Sequence, residues 1–182
     1  MKKTTHEKIL WIVRTAVLLA LLVSLQAITK PLGQLVTGSC VNGVLAIAAL
    51  FSGPGSGIVI AVISPILAFL LGIAPQPVTV PAIMVGNTVY VVLLALLDRD
   101  DIFRRLLAWA AAAAAKAAVL YAVVKGLICG LLAPALLGAG LLKEPMLKAL
   151  PKTFSWMQLI TALLGGGLAL LIVPTLKKAL KK

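Results

Sequence analysis

Two lysines stand inside an apolar run that otherwise carries no charge. Residues 104–130 read RRLLAWAAAAAAKAAVLYAVVKGLICG, with Lys116 and Lys125 inside the run. The run is long enough to cross a bilayer, since about 20 apolar residues span the hydrocarbon core. A charged side chain near the bilayer centre costs roughly 2.5–3.5 kcal/mol on insertion scales. No Asp or Glu lies inside any other apolar run of the chain. A ligand, a backbone carbonyl or the lipid interface must therefore offset that cost.

The two lysines are not equivalent. They are nine residues apart, which at 3.6 residues per turn is about 180° around a helix. A regular helix cannot turn both to one pocket. Lys125 lies toward the outer end of the helix with Tyr121 one turn below it, while Lys116 is nearer the middle. Lys125 is therefore favoured as the ligand contact. Its alternative is snorkelling to the outer headgroups; for Lys116 the alternative is contact with carbonyls or with a partner subunit.

Other polar residues fall in the outer halves of apolar runs: Gln26, Thr29, Gln34, Asn42, Thr79, Asn87, Trp156, Gln158 and Thr161. Unpaired polar groups in hydrocarbon cost several kcal/mol, so these side chains should face the bundle interior or a cavity. Gathered on one side of the membrane, they fit a pocket open to the outside, or else hydrogen bonds that hold the bundle together. The candidate ligand set is Gln26, Asn42, Asn87, Tyr121, Lys125, Trp156 and Gln158.

The elements that must position them follow from composition. Of 182 residues, 62% are hydrophobic and 12% charged; the mean hydropathy is +1.12. A soluble domain is about half apolar and a quarter charged. Six apolar runs predict a single all-α integral membrane bundle, with transmembrane helices at about 9–28, 40–51, 58–73, 78–97, 103–130 and 154–176. Residues 31–39 read as a polar outer loop, 52–57 (SGPGSG) as a sharp turn, and 131–152 as a longer outer segment with room for a short interfacial helix. Pro65 is expected to kink the third helix and Pro81 to sit in the first turn of the fourth. Lysines and arginines crowd the two termini and residues 99–105. The positive-inside rule thus places both termini in the cytoplasm.

The +12 net charge does not indicate nucleic acid, because the basic residues sit at the ends of apolar runs and set orientation. Cys40 and Cys129 have no metal-ligand spacing and read as two buried thiols rather than a disulfide. His6 is placed in a solvated cytoplasmic tail. Asp98, Asp100 and Asp101 read as a helix cap beside arginines rather than a metal site. No nucleotide-binding glycine loop, HExxH or Ser/His or Cys/His pair is present. The chain reads as neither an enzyme nor a cofactor carrier.

Small residues four apart let backbones approach closely. Ala16 and Ala20 form one such pair and Ala68 and Gly72 another; they suit internal packing or a partner-docking face. Six short helices, both ends inside, A-x-x-x-A on the first and polar residues gathered outside resemble the substrate-binding S component of energy-coupling factor (ECF) transporters. The runs NGVLAIAALFSGPGSGIVIAVISPILAFLLGI and PAIMVGNTVYVVLLALL look like such components from Gram-positive bacteria.

The resemblance implies capture of a scarce micronutrient from outside, in the plasma membrane. A separate transmembrane coupling protein and two cytosolic ATPases supply the energy, and the loaded S component topples to carry its substrate across. Ala16 and Ala20 match the family's small-residue motif and would dock on the coupling protein. Amides, aromatics and a lysine would suit a vitamin or a purine-like heterocycle such as a queuosine precursor. Two other classes stand beside this reading: a self-sufficient small transporter or channel, and a membrane scaffold or membrane enzyme without a recognisable motif. Standalone ion-coupled carriers usually need intramembrane acids, which this chain lacks.

The charge bias is directly testable. With Cys40 and Cys129 replaced, a cysteine at Lys148 should react with an impermeant reagent in intact cells, and one at Asp100 should not. The opposite pattern would invert the topology.

Overall fold

The computed structural model of the protein describes residues 4–73, 76–98 and 101–180. Among these it contains helices and no strand. A bilayer offers no water to unpaired backbone groups, so segments this apolar must satisfy them internally. Eight α-helices follow in order: α1 (Thr5–Thr29), α2 (Gln34–Ile47), α3 (Pro54–Leu70), α4 (Val80–Leu97), α5 (Ile102–Ala122), α6 (Ala133–Gly138), α7 (Glu144–Thr153) and α8 (Trp156–Ala179). Wider turns of π type extend α2 through Ser52 and α5 through Leu131. Five apolar segments are long enough to cross a membrane, and α3 is a shorter sixth. The bundle is thus all-α with about six spans, as the sequence predicts.

Several boundaries differ from the sequence reading, each for a local reason. The first helix begins at Thr5, not near residue 9, because Thr4 and Glu7 form a capping box at its start. His6 is therefore an exposed residue of the first helical turn, not part of a tail. Residues 31–39 are not a loop throughout. A 3₁₀ turn (Lys30–Leu32) is followed by Gly33 with φ 86°, and α2 starts at once. A positive φ suits glycine and reverses the chain in minimal length. Gly53, at φ 92°, does the same before α3, so that helix starts at Pro54 rather than 58. The segment 131–152 holds two short helices, α6 and most of α7, rather than one. Pro65 is buried within α3, and Pro81 occupies the first turn of α4.

Asp101 caps α5 by accepting from the Arg104 N–H at 2.9 Å, and Asp98 pairs with Arg105 at 2.9 Å. These two acids serve as helix-end partners; Asp100 lies outside the described residues. No group of three or more metal-type ligands occurs among the described residues. Cys40 and Cys129 are free and half-buried.

Helix α2 packs most extensively on α8, α4 lies between α3 and α5, and α1 rests on α2 and α3. Lipid tails are as apolar as leucine, so close packing and interhelical hydrogen bonds must drive this association. The α2–α8 crossing is backbone on backbone: a Cβ on Gly165 would overlap the Ser39 carbonyl and the Gly43 nitrogen. Across the bundle, Tyr90 Oη donates to the Ala162 carbonyl at 3.0 Å and Trp109 Nε1 to the Leu163 carbonyl at 3.1 Å. These bonds tie α4 and α5 to α8. The Thr15 hydroxyl donates to the Trp11 carbonyl at 2.7 Å and accepts from the Ser56 hydroxyl at 2.8 Å, which joins α1 to α3.

Gly165→Val should lower the thermal stability of the detergent-purified protein by about 1–3 kcal/mol or more, the usual range for overpacking. Gly138→Val, where an added Cβ meets nothing within 4 Å, is the control. Equal melting temperatures for the two variants would refute the close crossing.

Candidate functional site

The close α2–α8 crossing brings Asn42 beside Thr161: Asn42 Nδ2 donates to Thr161 Oγ1 at 3.2 Å. Thr161 in turn donates to the Gln158 carbonyl at 3.2 Å, one turn earlier on α8. Helices α4 and α5 approach closely because Gly86 leaves room for Leu120. That approach puts Asn87 within reach of α5, where Lys116 points inward and is 2% exposed. Its Nζ donates to Asn42 Oδ1 and, at 2.7 Å, to Asn87 Oδ1. It also lies 5.3 Å from the centre of the Tyr90 ring, within cation–π range. One ammonium thus joins α2, α4 and α5. No described carboxylate pairs with it.

This network forms the floor of a cavity of about 300 Å³, at the low end for small-molecule sites, which run from about 300 to 1,000 Å³. Polar lining comes from Gln26 on α1, Lys30, Gln34 and Thr37 around the first turn, Gln76 and Thr79 before α4, and Gln158 on α8. Val41, Ile73, Ile83, Leu150 and Phe154 supply apolar walls. A small hydrophobic cluster of Ala82, Leu120, Val124, Ile128, Leu142, Leu150 and Phe154 packs α7 and the link after it against α4 and the outer part of α5 with its extension. Lys30 Nζ, an exposed group, donates to the Gly72 carbonyl at 2.6 Å. Two polar atoms of the lining residues are buried without a partner: Gln26 Oε1 and Asn87 Nδ2. Native interiors rarely leave such atoms unpaired.

Of the seven residues named from sequence, the structure brings four together around this cavity: Gln26, Asn42, Asn87 and Gln158. Tyr121 and Trp156 instead line a shallower groove next to it, which shares Gln34 and Thr153 with the cavity. Trp156 is 64% exposed there. Lys125 lines neither; it is exposed, with Nζ 5.1 Å from the Tyr121 ring centre. The sequence preference for Lys125 over Lys116 thus runs against the geometry. As the half-turn argument requires, only one lysine faces inward, but it is Lys116, because two asparagine oxygens from distant helices are there to receive it. Lys30, Thr37, Gln76 and Phe154 were also not singled out. The Ser39-x-x-x-Gly43 spacing was a readable signal for the crossing that carries Asn42. Ala16 and Ala20 lie on an exposed face of α1, together with Ile12, Val13 and Val17, whereas Ala68 is buried.

A family model described as ECF transporter, substrate-specific component, matches residues 11–177. The chain belongs to this family. No curated protein and no solved structure matches it. As an S component it is a multi-pass membrane protein and a transporter subunit, not a catalyst.

The Lys116 hub makes an energetic prediction. Asn87→Ala should destabilise the S component by about 1–3 kcal/mol by orphaning a buried donor. In a Lys116→Met background the same change should cost much less, because coupled neighbours are non-additive by about 0.5–3 kcal/mol. Additive losses in detergent melting temperature would mean that the two side chains are independent.

Proposed function

We propose that this S component captures a vitamin or other micronutrient from outside a bacterial cell and delivers it, through a transmembrane coupling protein and two cytosolic ATPases, for ATP-driven uptake. The observation that carries the reading is the cavity built on Lys116, with unpartnered polar atoms in its wall. A purely structural network would satisfy its own members, whereas these atoms await a partner. The charge bias of the sequence puts the end of the bundle holding Lys30, Gln76 and Thr153 on the outer side, so the cavity would fill from outside.

The site we assign is Gln26, Asn42, Asn87 and Gln158 with Lys116 at its base. Tyr121 and Trp156 would border the approach to it, and Lys125 would face the outer headgroups. Support for a purine-like base such as a queuosine precursor rested on stacking rings. Phe154 is the one ring in the cavity lining, so a vitamin with an apolar body fits at least as well. Ala16 and Ala20, on the exposed apolar face of α1, would form the docking surface for the coupling protein.

The test combines binding with uptake. The compound that leaves the purified protein on denaturation should rebind at least about tenfold more weakly to Asn42→Ala and Gln158→Ala, since about 1.4 kcal/mol is tenfold. Lys125→Ala should bind it as the wild type does. Ala20→Trp should keep binding yet lose uptake in cells that express the coupling protein and ATPases. Full uptake by Ala20→Trp, or unchanged binding by both cavity variants, would overturn the assignment.

A further inference from the structure

We infer that the captured substrate carries a single carboxylate, seated between the Lys116 ammonium and the side-chain nitrogen of Asn87. The inference rests on the capture reading above and narrows it to a chemical class. A lysine ammonium has only donors. The atoms that meet Nζ from Asn42 and Asn87 must therefore be the amide oxygens, which orients both amides. Asn42 Nδ2 is then used on Thr161. Asn87 Nδ2 is left over: the residue is 1% exposed, forms part of the cavity wall, and that nitrogen has no partner. Asn87 Nδ2 and the third N–H of the Lys116 ammonium thus remain without an acceptor among the described residues.

The rest of the lining sharpens this. Its charged members are Lys116 and Lys30, and no Asp or Glu is among them. An amine substrate would meet only like charge. A neutral carbonyl would accept one bond and leave the ammonium without a counter-charge in a low-dielectric interior, where charges are costly unless paired. A carboxylate has two acceptor oxygens and one negative charge, which matches both donors. A phosphate dianion would ask for more positive charge than one buried lysine gives, as Lys30 is exposed and bonded to Gly72. Gln26 Oε1, buried and unpartnered on α1, calls for a hydroxyl or N–H on the same molecule. The class is then a small organic acid with a largely apolar body and at least one hydrogen-bond donor.

The experiment uses the full-length protein purified from cells grown in rich medium. The bound compound is released by denaturation and identified by mass spectrometry. It and its primary amide, prepared from it, are then titrated calorimetrically into wild type, Lys116→Met and Asn87→Asp. Release of a carboxylic acid that binds wild type at least ~100-fold more tightly than its amide would support the inference, as expected when one partner of a buried charged pair is lost. Both variants should erase that preference, Asn87→Asp by giving Lys116 an internal carboxylate. Should either variant fail to fold, the acid–amide comparison on wild type decides alone. A released neutral, cationic or phosphorylated compound, or an amide that binds as tightly as the acid, would overturn the carboxylate and leave the capture reading standing. Release of no compound would overturn both.

Discussion

A buried lysine that no described acid meets constrains the whole bundle. Lys116 can be held at 2% exposure only if other dipoles replace the water it has lost, since an isolated buried charge is too costly to keep. Asn42 and Asn87 supply them from helices that are 74 and 29 residues away in sequence. For both to arrive, α2, α4 and α5 must stand at one distance and rotation. The lysine is thus a gauge as well as a ligand candidate: a slip of any of the three helices would strand its ammonium.

The glycines make that gauge attainable. Helices in lipid gain nothing from hiding apolar surface from water, so they associate where backbones fit closely. Gly165 lets α8 reach the backbone of α2 near Ser39 and Gly43, and Gly86 lets α4 accept Leu120 of α5. The first contact sets Asn42 and the second sets Asn87. Tyr90 and Trp109 then donate to neighbouring carbonyls on α8, which locks the rotation of α4 and α5. Without these approaches the two amides would not reach one nitrogen, and the cavity above them would have no floor.

The sequence displayed the spans because hydrophobic length is a local property. It displayed much of the cavity lining too, because an amide in a membrane segment has few places to point. Gln26, Asn42, Asn87 and Gln158 were legible for that reason. What it hid was long-range. Lys116 and Lys125 look alike along the chain, and the choice between them depends on partners brought by other helices. Trp156 read as a stacking ring, but its helix begins at that very residue, and the first turn leaves it exposed. The early start of α1 was legible in principle through Thr4 and Glu7. Of the two short helices, the amphipathic α7, with Glu144 in its first turn and Lys152 in its last, carries a local signal, whereas α6 packs on the end of α5 without one.

A division of labour follows from where the charges are. The apolar runs hold no carboxylate, the group that ion-coupled carriers usually place in the membrane. What the interior does hold is the Lys116 nitrogen and the two amides whose oxygens it meets. At the same time α1 shows an almost wholly exposed apolar face, interrupted by the small Ala16 and Ala20, at which another helix could come close. On the function proposed above, a subunit that does not power its own release would use such a surface to meet its coupling protein. On that same function, the polar cavity would hold the substrate and the smooth helix face would meet the partner that drives its release.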